Sequence, residues 1–513
     1  MVLDYNFTGD ARFNNAQFCG AARFEDANFS GEIANFLNAN FRGRIGNFLN
    51  ANFSGGNAYF NMVQFSGDAG FEGVQFGGGD AFFDSAQFSG AAKFKGAEFS
   101  GGNASFEGVQ FSGGDASFEG VQFSGAASFD KVDFIGAASF NGAYFDGTAN
   151  FGDAYFGDGA SFRSADFDDG ASFRSADFCG DAFFRDAKFR GVIADFHEAK
   201  FTGGDADFDR AEFSVVNANF GSAEFSGVYA SFSCVNFSSV KTSFNKARFN
   251  GTTIFRGVEF NGTANFEEAQ FSGSDADFAE AYFRREANFN LAKFSGDGNF
   301  NRANFSDAAN FERAEFSKYA LFKNANFSKN GGKLLLYRTR YDKICITWDS
   351  IKGIELPFDD EAYLRLINNY KELGWFEDYN ECYYHYMKNR DCGCCLGFRW
   401  WVSKIFFVSY GYGAKPEFPL VWSLATIILF GVIWWGIEPH MKDGKSVTTW
   451  KGALKFSSVV FLSATKLSID PPELEAREES WDKSIFLAER VIGSLLFFFF
   501  LFAASTSLLI KIV

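Results

Sequence analysis

The chain has 513 residues, among them 74 Phe, 54 Gly, only 6 Pro and 3 His, and a formal net charge of −16. The first 328 residues hold 59 Phe, no Trp and no Pro, with 42 acidic and 25 basic side chains, whereas residues 329–513 hold all 9 Trp and all 6 Pro with 21 acidic and 22 basic. The acidity belongs entirely to the first part, which excludes a protein that grips nucleic-acid phosphates through a basic stripe, and three His leave little for hydrolytic or metal chemistry.

From Phe13 to Phe327 the Phe fall in 28 consecutive pairs. Inside each pair the spacing is always five, as in Phe13/Phe18 and Phe322/Phe327; between pairs it is six, 15 times, or seven, 12 times. Two residues before each of these 56 Phe stands a small side chain: 45 Ala, 7 Val, 2 Thr and 2 Gly. No 3.6-residue helix and no plain strand alternation places Phe in this way, so the pattern predicts a solenoid. Residues i and i−2 share a strand face, which turns Ala22 and Phe24 inward together and leaves the residue between them to water. Gly, Asp and Asn supply the corners, and a ladder whose N–H groups must donate accounts for the missing Pro.

Units such as Ala22-Arg-Phe-Glu-Asp and Ala27-Asn-Phe-Ser-Gly resemble the pentapeptide-repeat family, whose A-(D/N)-(L/F)-x-x units wind a right-handed four-sided β-helix. The resemblance covers roughly residues 2–328. It implies a mainly β chain with a right-handed parallel β-helix over 1–331, its alternate corners bulged by the one or two extra residues of every second unit. Four Phe per turn make 14 turns, a rod about 65 Å long at a strand spacing of roughly 4.8 Å. Each repeat residue is expected to pack in the stack or to face water, so only the collective acidic surface can serve a partner, an unidentified protein. The Asn-Phe-Ser triplets that begin at Asn28, Asn52, Asn304 and Asn326 have the form of glycosylation sequons, but the repeat itself generates them. Cys19, Cys179 and Cys234 fit no disulfide framework.

Residues 332–395 read as a connector. Short strands are expected at Ile344–Trp348 and Ile351–Leu356, ending at Pro357. Asp359 and Asp360 then cap a helix that runs to about Leu373, with Gly374 at its C-cap, and a Tyr-rich helix follows from about Glu377 to Asn389. This αα-hairpin suits a plug for the open end of the β-helix, and Trp348-Asp-Ser-Ile-Lys-Gly353 is similar to the connector of membrane-attached pentapeptide-repeat proteins. Cys382 and His385 lie at i and i+3, followed by Cys392, Cys394 and Cys395. The Cys-x-Cys-Cys spacing does not match paired CxxC zinc sites, and reduced or acylated thiols are the competing readings. No metal and no cofactor is expected.

Residues 396–415 read as an interfacial helix, with Trp400, Trp401, Phe406 and Phe407 around Arg399 and Lys404. Phe418–Ile437 and Val491–Ile510 are charge-free runs of 20 residues, each long enough to span a bilayer. Two spans return the chain to its starting side, which predicts a multi-pass protein of the cell membrane with both termini cytoplasmic. Between them, an apolar stretch of about 450–464 leads into Thr465, Lys466, Leu467, Ser468, Ile469 and Asp470. Span, short helix, Thr-containing turn and span over 416–513 resemble the two-transmembrane potassium-channel domain. Aligned on T-V-G-Y-G-D, however, Lys466 takes the valine and Leu467 and Ile469 the two glycines. A filter lined by backbone carbonyls needs angles unsuited to a β-branched residue, so the filter is degenerate. Tyr410-Gly-Tyr-Gly413 carries filter letters but precedes the first span, where it marks a bend.

Three functions compete. The first is a non-enzymatic scaffold that presents the acidic rod at the cytoplasmic membrane face, with possible homo-oligomers through the spans. The second is an ion channel or channel-like transporter with the β-helix as its regulatory domain. The third follows from soluble members of the repeat family that mimic DNA and bind type II topoisomerases. No nucleophile elbow, phosphate-binding loop or His-bearing metal motif argues for an enzyme; His197 follows the inward Phe196, and His440 lies after the first span.

Overall fold

The computed structural model describes residues 5–329, 332–390, 398–439, 447–463, 465, 470–474 and 481–512. The chain divides into two compact units, Met1–Pro357 and Phe358–Val513.

The first unit is a parallel β-solenoid of about 15 coils, whose strands form two 28-stranded sheets. Each strand pairs with its counterpart 22 to 25 residues on, as in Asn6↔Asn28 and Ala309↔Leu334. Because the register is set coil by coil, like stacks on like: Phe29 pairs with Phe53 and Ala34 with Ala58. The strands are short because only two or three residues fit along each side before the chain must turn. In Ala22–Arg23, for example, Ala22 is buried and Arg23 is exposed, and the next residue, Phe24, turns inward again.

Four columns of Phe fill the interior. Rings in one column stack at the strand spacing, 4.5 Å and 2° apart for Phe29 and Phe53 and 4.9 Å and 1° for Phe151 and Phe173. Across the interior they meet edge to face, at 5.2 Å for Phe151 with both Phe140 and Phe162. Both favoured aromatic geometries therefore serve every ring. The small residues leave the room for this. At Gly46, where the repeat most often has Ala, an added Cβ would lie 2.7 Å from the Phe65 ring.

The two corner classes differ as the spacing predicts. Each five-residue corner is a β-turn closed by a bond such as Ala16 N to Phe13 O at 3.0 Å. The residue three before the second Phe of the pair has positive φ in all 28 pairs, between 52° and 65°; 22 of these residues are not Gly. The outward Asn or Asp before the first Phe accepts a bond from the backbone N–H two residues on, as in Leu37 N to Asn35 Oδ1 at 2.9 Å. The six- and seven-residue corners are looser, and at three of them the strand continues through the corner, in Lys188–Asp195, Glu212–Asn219 and Glu315–Leu321.

The ladder continues past Phe327. Leu334–Leu335 and Arg340–Cys345 pair with the preceding coil, and Arg338 repeats the positive-φ corner. Between the two expected strands, and taking their end residues, lies a short helix: α1 (Trp348–Ile351) follows Thr347, whose carbonyl accepts from the Ser350 hydroxyl at 2.7 Å. Ile346, Trp348 and Ile351 are buried, so this unit covers part of its last coil with its own residues.

In the second unit, α2 (Asp360–Leu373) and α3 (Phe376–Arg390) form the αα-hairpin. The Asp359 side chain accepts from Ala362 N at 2.8 Å, and Gly374 ends α2 with φ 71°. α4 (Phe398–Tyr410) is followed by a 3-10 turn, Gly411–Gly413, with positive φ at all three residues. That turn makes the bend into α5 (Glu417–Ile437). α6 (Trp450–Ser463) lies between α5 and α7 (Trp481–Ile512), packing on Phe430 and Trp434 through Ala453, Phe456 and Val460. α7 starts ten residues before the charge-free run that marks it in the sequence, and so takes in Asp482, Lys483, Glu489 and Arg490.

Candidate functional site

Two places gather polar chemistry, one in each unit. On the solenoid, outward residues of neighbouring coils stack, so unlike charges form ladders. Arg190 bonds both Asp166 and Asp168, and the Tyr144 hydroxyl donates to Asp168 at 2.7 Å. Arg185 reaches Asp207 at 2.9 Å and Asp209 at 3.4 Å, and Arg210 holds Asp186 through two bonds of 2.7 and 2.9 Å. The Tyr144 bond, with Arg190 behind it, holds the Asp168 carboxyl below the usual carboxylate range; burial pushes Asp166 up against the pull of Arg190. In return Tyr144 is pushed up to about 12. These pairs at the surface, with only Asp207 among them buried, neutralise one another, and such surface pairs contribute little each. They leave a surface for recognition rather than a reactive centre.

In the helical unit, Glu489 of α7 is fully buried. The Trp434 indole N–H of α5 donates to its Oε2 at 2.7 Å, and the Ser457 hydroxyl of α6 bonds its other oxygen. Ser457 also reaches the Ile427 carbonyl of α5 at 2.9 Å. One carboxyl thus ties three helices, and these partners are what make its burial tolerable, since an unpaired carboxyl in such a place costs several kcal/mol, on the order of 3–5. Sequence reasoning missed this site because a search for charge-free windows ends just short of Glu489. Its signal was a lone acid beside an apolar run.

Of the pore-like residues, Thr465 caps the end of α6, its hydroxyl donating to the Leu462 carbonyl at 2.7 Å, and Asp470 is exposed. Lys466, Leu467, Ser468 and Ile469 lie outside the described residues, as do Cys392, Cys394 and Cys395. Burial pushes the Cys382 thiol up, and the His385 ring sits 3.1 Å from both the Tyr363 hydroxyl and the Asn389 amide. Among the described residues no three His, Cys, Asp or Glu side chains gather in a metal-binding arrangement.

The family model described as pentapeptide repeats in nine copies matches residues 73–122, 113–155, 244–293 and 278–326, all within the solenoid. No curated protein and no solved structure matches the chain. Proteins built on this repeat are in general non-enzymatic structural or interaction proteins.

Proposed function

We propose that the chain is a non-enzymatic scaffold, anchored in the cell membrane with both termini cytoplasmic, that offers its acidic solenoid to a protein partner. The observation that carries the anchor is the bareness of two helices. Glu417–Ile437 and Trp481–Ser505 each contain a window of mean hydropathy 2.1, of which only 17 % is buried. A core helix of a soluble protein is mostly covered by its own chain; these expose Leu420, Val421, Leu424, Leu429, Ile492 and Phe498 instead. At about 25 cal/mol per Å2, leaving that much apolar surface in water is untenable, and a bilayer is the medium that accepts it. The test is fractionation of the full chain. It should stay with membranes through alkaline carbonate and leave only with detergent, and release by carbonate would refute the anchor.

A second reading, a channel-like pore, is supported by α6, a short apolar helix wedged between the two spans and tied to both through Ser457 and Glu489. It requires several copies around an axis. The oligomeric mass in detergent and planar-bilayer currents of the purified chain decide it: a monomer, or a silent oligomer, ends the pore reading and leaves the scaffold.

A further inference from the structure

Beside the bend between α4 and α5 lies a groove of about 460 Å3 within the helical unit. Trp401, Ile405 and Val408 of α4 form one wall, Trp422 and Thr426 of α5 the second, and Ile492 and Leu496 of α7 the third. Lys404 and Ser409 of α4 complete the lining, so that with Thr426 it holds one cation and two hydroxyls. The groove opens outward, and Trp401, Ile405, Val408 and Trp422 remain exposed along it, at 61, 58, 45 and 44 %.

We propose that this groove seats one anionic phospholipid of the membrane, an inference that rests on the anchored reading above. The charge pattern selects the occupant. Lys404 is the only ionisable side chain among the lining residues, and it is a cation. It stands beside the Phe407 ring, its ammonium 5.6 Å from the centroid, on the helix that carries Trp401, a side chain suited to the depth of lipid headgroups. Ser409 lies five residues further along α4, about 7.5 Å at the helical rise. Its hydroxyl is buried without a hydrogen-bond partner. Ser409 lines the groove, so a glycerol-ester carbonyl seated there would accept from it while the phosphate meets Lys404. The acyl chain then follows Trp422, Thr426, Ile492 and Leu496, a path whose residues recur at i and i+4 on two helices and so form continuous ridges. An apolar trench with one cation at its mouth and the Ser409 and Thr426 hydroxyls inside suits a diacylglycerol phosphate, and a cation with no acidic side chain among the lining residues favours a net anionic headgroup over a zwitterionic one.

Tryptophan quenching on the full chain in detergent micelles tests this, because Trp401 and Trp422 line the groove. Brominated phosphatidylglycerol should quench at a mole fraction about tenfold lower than brominated phosphatidylcholine. The Trp401→Phe variant should remove part of that selective quenching. Lys404→Gln should bring the two lipids together, and Ser409→Leu, which fills the groove, should weaken quenching by phosphatidylglycerol. Inorganic phosphate should not reverse it; reversal would mean an anion site and overturn the lipid. Equal quenching by both lipids in the unaltered chain, or a preference that survives Lys404→Gln, would overturn the headgroup assignment while leaving the anchor intact. Absence of quenching by either lipid would overturn both.

Discussion

Phe151→Ala removes a ring from the middle of the solenoid. Phe151 is fully buried, stacked on Phe129 at 4.8 Å and on Phe173 at 4.9 Å, and it meets Phe140 and Phe162 edge-on at 5.2 Å. The truncation leaves a hole that the neighbouring coils cannot collapse into, because each is held in register by its own backbone ladder. A buried Phe→Ala change costs about 3–5 kcal/mol, and the four ring contacts place this one at the upper end. In a stack whose coils touch only their neighbours, that loss falls locally. Amide hydrogen exchange followed by mass spectrometry should therefore show peptides around residues 129–173 exchanging on the order of 10³–10⁴-fold faster, with distant coils unchanged. Arg163→Ala is the control. Its guanidinium lies 4.1 Å from the centroid of the outward Phe183 ring, a contact worth about 0.5–1 kcal/mol at the surface, so exchange should rise only severalfold. Equal effects at the two positions would refute the assignment of facing, and a uniform rise along the whole solenoid would refute its one-dimensional coupling.

Other consequences are as direct. Glu489→Gln keeps a carbonyl for the Trp434 indole and an amide for Ser457, whereas Glu489→Leu strands the indole N–H; the Leu variant should lose about 1–3 kcal/mol more in detergent-solution thermal unfolding read by Trp fluorescence, and equal midpoints would refute the three-helix tie. The phenol of Tyr144 is held neutral by Asp168, so its stabilisation is complete below pH 10 and is lost as pH climbs through about 12. The difference in phenolate absorbance between the unaltered chain and Tyr144→Phe should titrate near 12, and a midpoint near 10 would remove the bond. Asp168 behaves oppositely: its contribution is present above the ordinary carboxylate range and disappears as acid protonates it below that range. At the corner residue Met62, with φ 55° and 57 % exposure, Met62→Gly should be neutral or stabilising by up to about 1 kcal/mol and Met62→Val destabilising by at least as much, measured by urea denaturation. The reverse order would contradict the left-handed turn.

The solenoid was legible because its rule is repeated. A Phe every five, then six or seven residues, with a small residue two before it, fixes both facing and register, and the family match covers residues 73–155 and 244–326 of that stretch. The caps at Asp359 and Gly374 were legible for a local reason, since a cap is a matter of three or four adjacent residues. What escaped were contacts between residues far apart in the chain. Nothing in the sequence around Arg163 says that Phe183, outward on the next coil, will lie beneath it. Nothing near Glu489 announces Trp434, 55 residues earlier. The α1 turn escaped because Ile344–Trp348 alternates like a strand, while the Thr347–Ser350 bond that turns the chain is a side-chain effect. The left-handed corners are the middle case. Their position is periodic, but 22 of 28 are filled by residues other than Gly, so composition alone gives no sign of them.

Because every coil closes on itself after 22 to 25 residues and presents the next with the same ladder, the molecule has a built-in unit of length. Duplicating or deleting one coil would shift everything beyond it by a single step of about 4.8 Å and disturb nothing else. Such a gene can therefore tune reach in small, nearly neutral increments, as a ruler is cut to its marks.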